Sequence, residues 1–301
     1  MLINLSNITT DILHGELMQR KNVSLSVLRL DKIHPVISGN KFFKLHYFLE
    51  TIQQHPAQKV VTLGGAFSNH LVAAAYACKI KNIPCIGIVR GEKPVQLSHT
   101  LQHCTEYGMQ LHFISRDEYD KKDTAGFIEQ LTTQFGDCII IPEGGYDPLG
   151  AKGAVQIMNL IDDASTHICC AIGTATTLAG LLMNVKPQQQ IIGIPVLKGM
   201  TDIAERISFL TNTVNQNQLH IEFGYHFGGY AKKTAALINF MNDLYHQYQL
   251  PTDFVYTAKM MYSIIDLIEN DFFPEGSKIV CIHTGGLQGN LSLQKGTLTF
   301  I

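Results

Sequence analysis

The feature that most constrains the fold of this chain is a regular alternation of short apolar runs with longer helical patterns. Between residues 59 and 141, four apolar runs have the length and composition of buried strands: Lys59–Leu63, Pro84–Val89, Gln110–Ile114 and Cys138–Ile141. The alternation resumes after residue 150, with further runs at Ile168–Ile172, Gln190–Val196 and Lys278–His283. Strands separated by helices usually align in parallel. The sequence therefore predicts an α/β fold with open, parallel, twisted sheets flanked by helices.

The composition agrees with sheets of this kind and excludes several classes of protein. Of the 301 residues, 16% are charged and 46% are hydrophobic, as expected where strands are buried on both faces. The formal net charge of −2 lacks the basic excess of nucleic-acid-binding proteins, so we expect no nucleic-acid partner. No apolar run reaches about 18 residues, so we expect no membrane partner. The first ten residues do not have the pattern of a signal peptide.

The cysteines and histidines give no sign of a metal site or a disulfide framework. The seven cysteines are scattered and include no CxxC, and the 13 histidines include no HExxH. An odd number of scattered cysteines is typical of a protein kept in a reducing compartment. We therefore expect a cytoplasmic protein that holds no metal.

Three turns after predicted strands combine glycine with serine or threonine, at residues 64–70, 173–180 and 284–289. In open α/β sheets, ligands bind beyond the carboxyl ends of strands, where the first N–H groups of the next helix attract anions. The second turn contains GTATT (173–177) without lysine or arginine, and the chain lacks both GxxxxGK[ST] and GxGxxG. This pattern favours a phosphate held by backbone N–H groups and hydroxyls. The alternative is an ordinary threonine-rich helix cap.

One lysine stands at an electrostatically unfavourable position. Lys41 follows SGN (38–40) and precedes an amphipathic run at Phe42–Glu50, so it lies near a helix start, where the dipole disfavours cations. It is either a surface lysine or a lysine that forms a Schiff base with a cofactor aldehyde. The second role needs a neutral amine and therefore a lowered pKa.

Six segments in this order carry a resemblance to a known family: ISGNKFFKL (37–45), GGAFSNHLVAAA (64–75), IPEGGYDPLGAKG (141–153), GTATTLAGL (173–181), VYTAKMMYSIIDLI (255–268) and HTGG (283–286). The chain resembles the pyridoxal-phosphate enzymes of the tryptophan synthase β fold type (fold type II), in the group of 1-aminocyclopropane-1-carboxylate (ACC) deaminase and D-cysteine desulfhydrase. The resemblance implies pyridoxal 5′-phosphate as cofactor, a small amino-acid substrate and a homodimer. It also implies a larger cofactor-binding domain (1–45 and 147–301) with a smaller α/β domain (46–146) inserted.

The same resemblance implies roles for individual residues. Lys41 would hold the cofactor as a Schiff base and carry the Cα proton. Ser68, Asn69 and His70 would face the substrate, with Asn69 also binding the cofactor 3′-oxygen. The resemblance assigns the remaining roles as follows: Lys44, Gly173, Thr174, Ala175, Thr176 and Thr177 at the phosphate, Thr284 near the pyridine nitrogen, and Tyr256 with Tyr230 (or Tyr225 in its place) facing the substrate.

Two positions favour one reaction within the group. The deaminases typically carry Glu after the tyrosine of VYxGK and Leu at the position of Thr284, whereas this chain has Thr257 and Thr284. A hydroxyl at the pyridine nitrogen leaves the ring mostly unprotonated, which favours prompt expulsion of a β leaving group. We therefore expect β-elimination of D-cysteine to pyruvate, ammonia and hydrogen sulfide. The alternatives are ACC deamination to α-ketobutyrate and a non-catalytic cofactor-binding protein.

Three departures from the family pattern have structural consequences. Ala175 and Ala258 replace family glycines, which matters if either residue has a positive φ. An acidic segment that often precedes ISGNK is replaced by RLDK (29–32).

Overall fold

The structure is a computed structural model that describes residues 4–54, 59–212 and 216–301. The chain begins with β1 (Thr10–Leu13), α1 (Glu16–Arg20), β2 (Ser24–Arg29) and α2 (Asn40–Gln53). The middle segment contains β3 (Lys59–Gly64), α3 (Asn69–Ile80), β4 (Cys85–Arg90), α4 (His99–Glu106), β5 (Gln110–Ile114), α5 (Arg116–Tyr119), α6 (Ala125–Phe135) and β6 (Cys138–Ile141). The last segment contains α7 (Pro148–Val155), β7 (His167–Ile172), α8 (Thr176–Leu182), β8 (Gln190–Pro195), α9 (Ile203–Thr211), β9 (Leu219–Ile221), α10 (Ala235–Tyr248), α11 (Thr257–Glu269) and β10 (Lys278–His283).

The strands form two sheets, as the alternation of strands and helices predicts. The smaller sheet has the order β5-β4-β3-β6 and is parallel throughout. The larger sheet has the order β1-β2-β10-β7-β8-β9, and all its neighbours are parallel except β1 and β2. The predicted α/β fold with parallel sheets is confirmed, with an antiparallel edge strand added. Three strands of the larger sheet were not predicted from the sequence: β1, β2 and β9. Serine residues interrupt the apolar residues of β2, and β1 and β9 are only four and three residues long, so none of them contains a long apolar run.

The low charge of the chain is explained by strands that are buried on both faces. Successive residues of β3, such as Val60 and Val61, are fully buried, and so are Ile191 and Ile192 of β8. Burial of consecutive side chains is the pattern of parallel strands that helices cover on both sides. Among the described residues, no helix is long and apolar enough to span a bilayer.

Most predicted helices and strands begin and end within about two residues of the observed ones. The bounds of α7 differ from the prediction. The sequence predicts a helix over 152–163, but α7 begins earlier, at Pro148, and continues after Val155 as a 3₁₀ helix over Gln156–Leu160. Asp147 caps its start by accepting a hydrogen bond from the Leu149 N–H group at 2.8 Å, and proline suits the first helical position. The glycines of this segment conceal the helical pattern in the sequence.

Helix α2 contributes to the cores of both sheets. Phe43 packs with residues of β7 in the core of the larger sheet. Leu45, Phe48 and Ile52 pack with β3 and β4 in the core of the smaller sheet. The smaller sheet is built from residues 59–141, between the two parts of the chain that form the larger sheet. Domain boundaries at residues 46 and 146 remain a prediction.

All seven cysteines lie in the described segments, and none forms a disulfide. Six are buried and Cys138 is half-buried. Burial raises the pKa of Cys104 and of Cys170 to about 12 in each case. These two thiols are therefore protonated at neutral pH, and the buried cysteines contribute to the cores as small side chains.

Helices α2 and α7 approach closely because a glycine lies at their contact. A Cβ atom at Gly153 would lie 2.0 Å from the carbonyl oxygen of Phe43, a distance that no backbone tolerates. In α6, by contrast, a Cβ atom at Gly126 would meet nothing within 4 Å.

We predict opposite effects for the same substitution at these two glycines. Gly153→Ala should destabilise the protein by about 1–3 kcal/mol, because the added methyl group forces α2 and α7 apart. Gly126→Ala should stabilise it by up to about 1 kcal/mol, because alanine has the higher helix propensity. Urea unfolding followed by circular dichroism measures both. Stabilisation by Gly153→Ala would contradict the close approach of the helices.

Candidate active site

The candidate site lies where the start of α2 meets the turn that follows β10. Gly39 precedes α2 with φ +67°, and a Cβ atom on it would lie 1.9 Å from the Thr284 carbonyl oxygen. The Asn40 N–H group donates to that oxygen at 3.3 Å, and the Gly39 N–H group donates to Leu30 O at 3.0 Å. Only glycine permits this approach. Lys41 is thereby placed next to the Thr284 turn.

Lys41 has the electrostatic property that the sequence analysis required of a Schiff-base lysine. Burial lowers the pKa of its amine to about 8, and the negative charge of Asp253 partly opposes this effect. The amine donates a hydrogen bond to Asn40 Oδ1 at 2.7 Å. Asn40 Nδ2 in turn donates to Thr177 Oγ1 at 2.7 Å. This chain of hydrogen bonds joins the lysine to the threonine-rich turn after β7.

Lys44 lies one helical turn after the half-buried Lys41 and is itself buried. Its amine donates to the Gly144 carbonyl oxygen at 3.0 Å. Burial, and then the positive charge of Lys41, hold the pKa of Lys44 well below its usual value. Because two neighbouring amines lose solvation here and lie close together, an anion bound between them would be stabilised.

The threonine-rich turn begins directly after β7 and ends in the first turn of α8. The Thr174 and Thr176 hydroxyls lie 2.8 Å apart, and Thr176 and Thr177 are buried. The first N–H groups of a helix have no partner within the helix. Three hydroxyls and the first N–H groups of α8 therefore lie in one turn next to Asn40, and a phosphate at this turn stays a prediction.

The two alanines that replace family glycines differ in backbone conformation. Ala175 has φ +65°, so it occupies the left-handed region that glycine adopts without strain. Ala258 lies inside α11 and is buried, and its φ is not positive. The substitution therefore strains the backbone at the turn after β7 and not in α11.

Ser68, Asn69 and His70 lie at the start of α3, and the structure gives them different surroundings. Ser68 Oγ caps the helix by accepting from the Leu71 N–H group at 3.2 Å. Asn69 Oδ1 accepts from Gln288 Nε2 at 2.8 Å, and both residues line a cleft shared with Lys41.

The His70 side chain is buried, and its Nε2 lies 2.9 Å from Thr62 Oγ1. Thr62 donates its own proton to Ile141 O, so Nε2 carries the hydrogen of the ring. His70 Nδ1 has no hydrogen-bond partner within the described part of the chain. Burial lowers the pKa of His70 to about 3, so the ring is neutral. A contact between His70 and substrate stays a prediction.

Two tyrosines come together at the turn after β7. The rings of Tyr230 and Tyr256 lie 6.2 Å apart at 70°, and a Cβ atom on Gly173 would lie 3.1 Å from the Tyr256 ring. Tyr225, the alternative to Tyr230, instead donates its hydroxyl to Asp266 Oδ2 at 2.5 Å. Of the two candidates, Tyr230 is therefore the one that lies beside Tyr256, and its contact with substrate stays a prediction. Burial raises the pKa of Tyr256 well above its usual value, so this hydroxyl stays protonated.

The sequence analysis missed Asp253, a buried carboxylate at the start of α11. Its oxygens accept hydrogen bonds at 2.9 Å from the N–H groups of Val255, Tyr256 and Thr257. The Thr257 hydroxyl donates to Asp253 Oδ1 at 2.7 Å. An Asp shortly before a helix is a recognisable capping signal. Because the Thr257 hydroxyl is used in this cap, Thr257 gives no direct support to the choice of reaction, which now rests on Thr284.

The altered segment at 29–32 forms a buried ion-pair network behind Thr284. Arg29 donates to both carboxylate oxygens of Asp31, at 2.8 and 2.7 Å. Asp31 Oδ1 also lies 3.1 Å from Nδ1 of His283, the residue that precedes Thr284. This network fixes the end of β10 against the segment that leads into α2.

Known proteins share the sequence pattern and the fold of this chain. A family model described as "Pyridoxal-phosphate dependent enzyme" matches residues 12–285. A putative ACC deaminase of Pyrococcus horikoshii is 28% identical over 84% of this chain and 81% of its own length. A D-cysteine desulfhydrase of Klebsiella pneumoniae is 26% identical over 86% of each chain. A crystal structure of an ACC deaminase homologue superimposes with a TM-score of 0.81 and 25% identity, covering 96% of this chain and 92% of the other.

The lowered pKa of Lys41 predicts that this residue costs stability when no cofactor is bound. Lys41→Met should raise the free energy of unfolding near pH 7 by up to about 3 kcal/mol, because a buried charge is removed. The cost is present in full below the folded pKa of about 8 and vanishes as the pH approaches the ordinary value of 10.5. The gain should therefore shrink over that range in urea unfolding of the cofactor-free protein.

The exposed Lys121 provides a matched control. Lys121→Met should change the free energy of unfolding by less than about 0.5 kcal/mol at either pH. A gain for Lys41→Met that is absent at pH 7, or undiminished near pH 10.5, would contradict the lowered pKa.

Proposed function

Because this chain belongs to the family of pyridoxal-phosphate dependent enzymes, we propose that it is a lyase that acts on D-cysteine. The reaction consumes water and releases pyruvate, ammonia and hydrogen sulfide. The observation that carries the proposal is the half-buried Lys41, with a pKa lowered to about 8 and a hydrogen-bonded connection through Asn40 to Thr177. The names of the relatives support a lyase of this group, and the choice of D-cysteine rests on Thr284.

The residues present fit the cofactor of this family. The hydrogen bonds of the Lys41 and Lys44 amines go to an amide oxygen and a backbone carbonyl oxygen, neither of which carries a charge. An aldehyde bonded to Lys41, with a phosphate near Lys44, would supply the negative charge that the two amines lack. Thr174, Thr176 and Thr177 offer hydroxyls at the start of α8 for the phosphate.

When bound, pyridoxal phosphate supplies an electron sink for the carbanion formed at the substrate Cα atom. The chain supplies the base: an amine with a pKa near 8 is neutral in a sizeable fraction of molecules at neutral pH. In this proposal Lys41 takes the Cα proton. The N–H groups at the start of α3, with Ser68 and Asn69, would bind the substrate carboxylate.

Tyr256 and Tyr230 are suited to assist the leaving group. The pKa of Tyr256 is raised by burial, so its hydroxyl stays protonated and can donate a hydrogen bond to a departing thiolate. Tyr230 lies beside it and is 52% exposed, which places it towards solvent. The pair would thus protect the reacting sulfur from water on one side.

Thr284 is the residue on which the choice of reaction depends. It is 7% exposed and follows β10, and the residue before it, His283, contacts Asp31, which Arg29 also binds. A hydroxyl at the pyridine nitrogen would leave the ring mostly unprotonated, which favours expulsion of sulfide over reactions that need a longer-lived carbanion. The second candidate is ACC deamination, which the name of the Pyrococcus relative favours.

We also propose that the enzyme is a cytoplasmic homodimer. Seven free thiols are compatible with a reducing compartment. Closed two-fold dimers are the commonest form of soluble oligomers.

We predict that the purified protein is yellow, and that it releases sulfide from D-cysteine. Lys41→Ala should abolish the covalent attachment of the cofactor and lower turnover on the order of a thousandfold, because the base is removed. Absorption spectra, mass after borohydride reduction, and assays of sulfide and α-ketobutyrate measure these effects, with Lys121→Ala as control. Unchanged turnover by Lys41→Ala would refute the mechanism. Release of α-ketobutyrate from ACC, with no release of sulfide from D-cysteine, would identify a deaminase. Bound cofactor without turnover of either substrate would identify a non-catalytic protein.

We predict that the hydroxyl of Thr284 is needed for sulfide release. Thr284→Leu should lower kcat for D-cysteine by up to about tenfold, which corresponds to the loss of one hydrogen bond. Thr284→Ser keeps the hydroxyl and should stay within about threefold of the wild type. Both variants should retain the visible absorption of the cofactor. Equal rates for the two variants would show that the hydroxyl has no part in the reaction.

A further inference from the structure

Lys259 is a fully buried lysine that the proposed mechanism does not use. It lies in the first turn of α11, three residues after Tyr256. Its amine donates to the carbonyl oxygens of His226 at 2.8 Å and Gly229 at 2.7 Å. Burial lowers the pKa of this amine to about 8, and Asp253 partly opposes the effect. The amine thus joins α11 to a segment that is about 30 residues distant in sequence.

That segment, residues 226–232, which we call the tyrosine loop, consists of two consecutive turns. In the first turn, the Gly229 N–H group donates to His226 O at 3.0 Å. In the second, the Lys232 N–H group donates to Gly229 O at 3.1 Å. The two carbonyl oxygens that close these turns are the two that Lys259 binds. Phe227, Gly228, Gly229 and Ala231 all have positive φ, a conformation that regular structure does not stabilise.

Tyr230 is the second residue of the second turn. Its side chain is half-exposed and its ring contacts Tyr256. Tyr256 itself is held by the Asp253 cap at the start of α11. The first turn of α11 therefore anchors both tyrosines, one through its own backbone and the other through the Lys259 amine.

We propose that Lys259 is a positioning residue that holds the tyrosine loop closed and thereby places Tyr230 against Tyr256. The effect of this placement on catalysis rests on the proposed function, in which the two tyrosines face the substrate. The placement itself does not, and it can be measured separately. Without the amine, both closing carbonyl groups lose a charge-assisted hydrogen bond in a buried setting.

Tryptophan fluorescence tests the placement independently of activity. The chain contains no tryptophan, so Tyr230→Trp introduces a single reporter at the tip of the loop. In the purified protein, adding Lys259→Met should raise the acrylamide quenching constant of this tryptophan by about twofold or more, because the loop opens. Lys232→Met, which removes an exposed amine from the same loop, should leave it unchanged. Equal quenching in the Lys259→Met and Lys232→Met backgrounds would overturn the proposal.

A double-mutant cycle tests the catalytic consequence. Lys259→Met should lower kcat about tenfold while the visible absorption of the cofactor remains, and Tyr230→Phe should do the same. If Lys259 acts through Tyr230, the double variant should be no slower than the slower single variant. A double variant whose loss equals the product of the two single losses would show independent roles and overturn this step.

The two measurements separate this inference from the proposed function. If the wild type turns over neither D-cysteine nor ACC, the proposed function fails, and the quenching experiment still decides the placement. If Lys259→Met does not fold, Lys259→Gln retains an amide donor and replaces it in both experiments. Quenching in that variant should exceed quenching in the Lys232→Met background, because a shorter, uncharged amide does not replace both hydrogen bonds of the amine. Equal quenching in the two backgrounds would overturn the proposal.

Discussion

The candidate site depends on one close backbone contact, between Gly39 and the carbonyl group of Thr284. It brings the start of α2 to the carboxyl end of β10, whose parallel neighbour β7 leads into the threonine-rich turn. Lys41 and Asn40 come next in the chain, so their positions follow from this contact. A side chain at position 39 would separate the lysine from both turns. The smaller sheet depends on it as well, since α2 carries the chain into that sheet.

Three lysine amines lie in or beside the candidate site, and few carboxylates lie near them. Lys41, Lys44 and Lys259 all have lowered pKa values because of burial, and the carboxylate that acts on Lys41 and Lys259 is Asp253. Asp253 is itself committed to the first turn of α11. The site thus carries an excess of positive potential that destabilises the free protein and favours anionic ligands.

Sequence reasoning succeeded where the information is local. Apolar runs gave the bounds of β5, β6 and β10. The position of Lys41 before an amphipathic run left two interpretations, a surface lysine or a Schiff-base lysine, and the lowered pKa agrees with the second. Sequence reasoning failed where a role depends on residues distant in the chain. In the sequence, Lys259 does not differ from any other lysine of a helix, and only the structure shows that it binds the tyrosine loop. Likewise, only the structure shows that the Thr257 hydroxyl donates a hydrogen bond to Asp253. That Tyr225 bonds to Asp266, whereas Tyr230 lies beside Tyr256, is likewise visible only in the structure.

The seven free cysteines are compatible with hydrogen sulfide, the product that we propose. Hydrogen sulfide is a nucleophile that cleaves disulfides by attacking one of their sulfur atoms. A fold stabilised by such bonds would be weakened by an enzyme's own turnover, and this fold contains none. The raised pKa values of Cys104 and Cys170 also keep these two buried thiols protonated, so they are poor nucleophiles. The chain is thereby chemically tolerant of the compound that it is proposed to release.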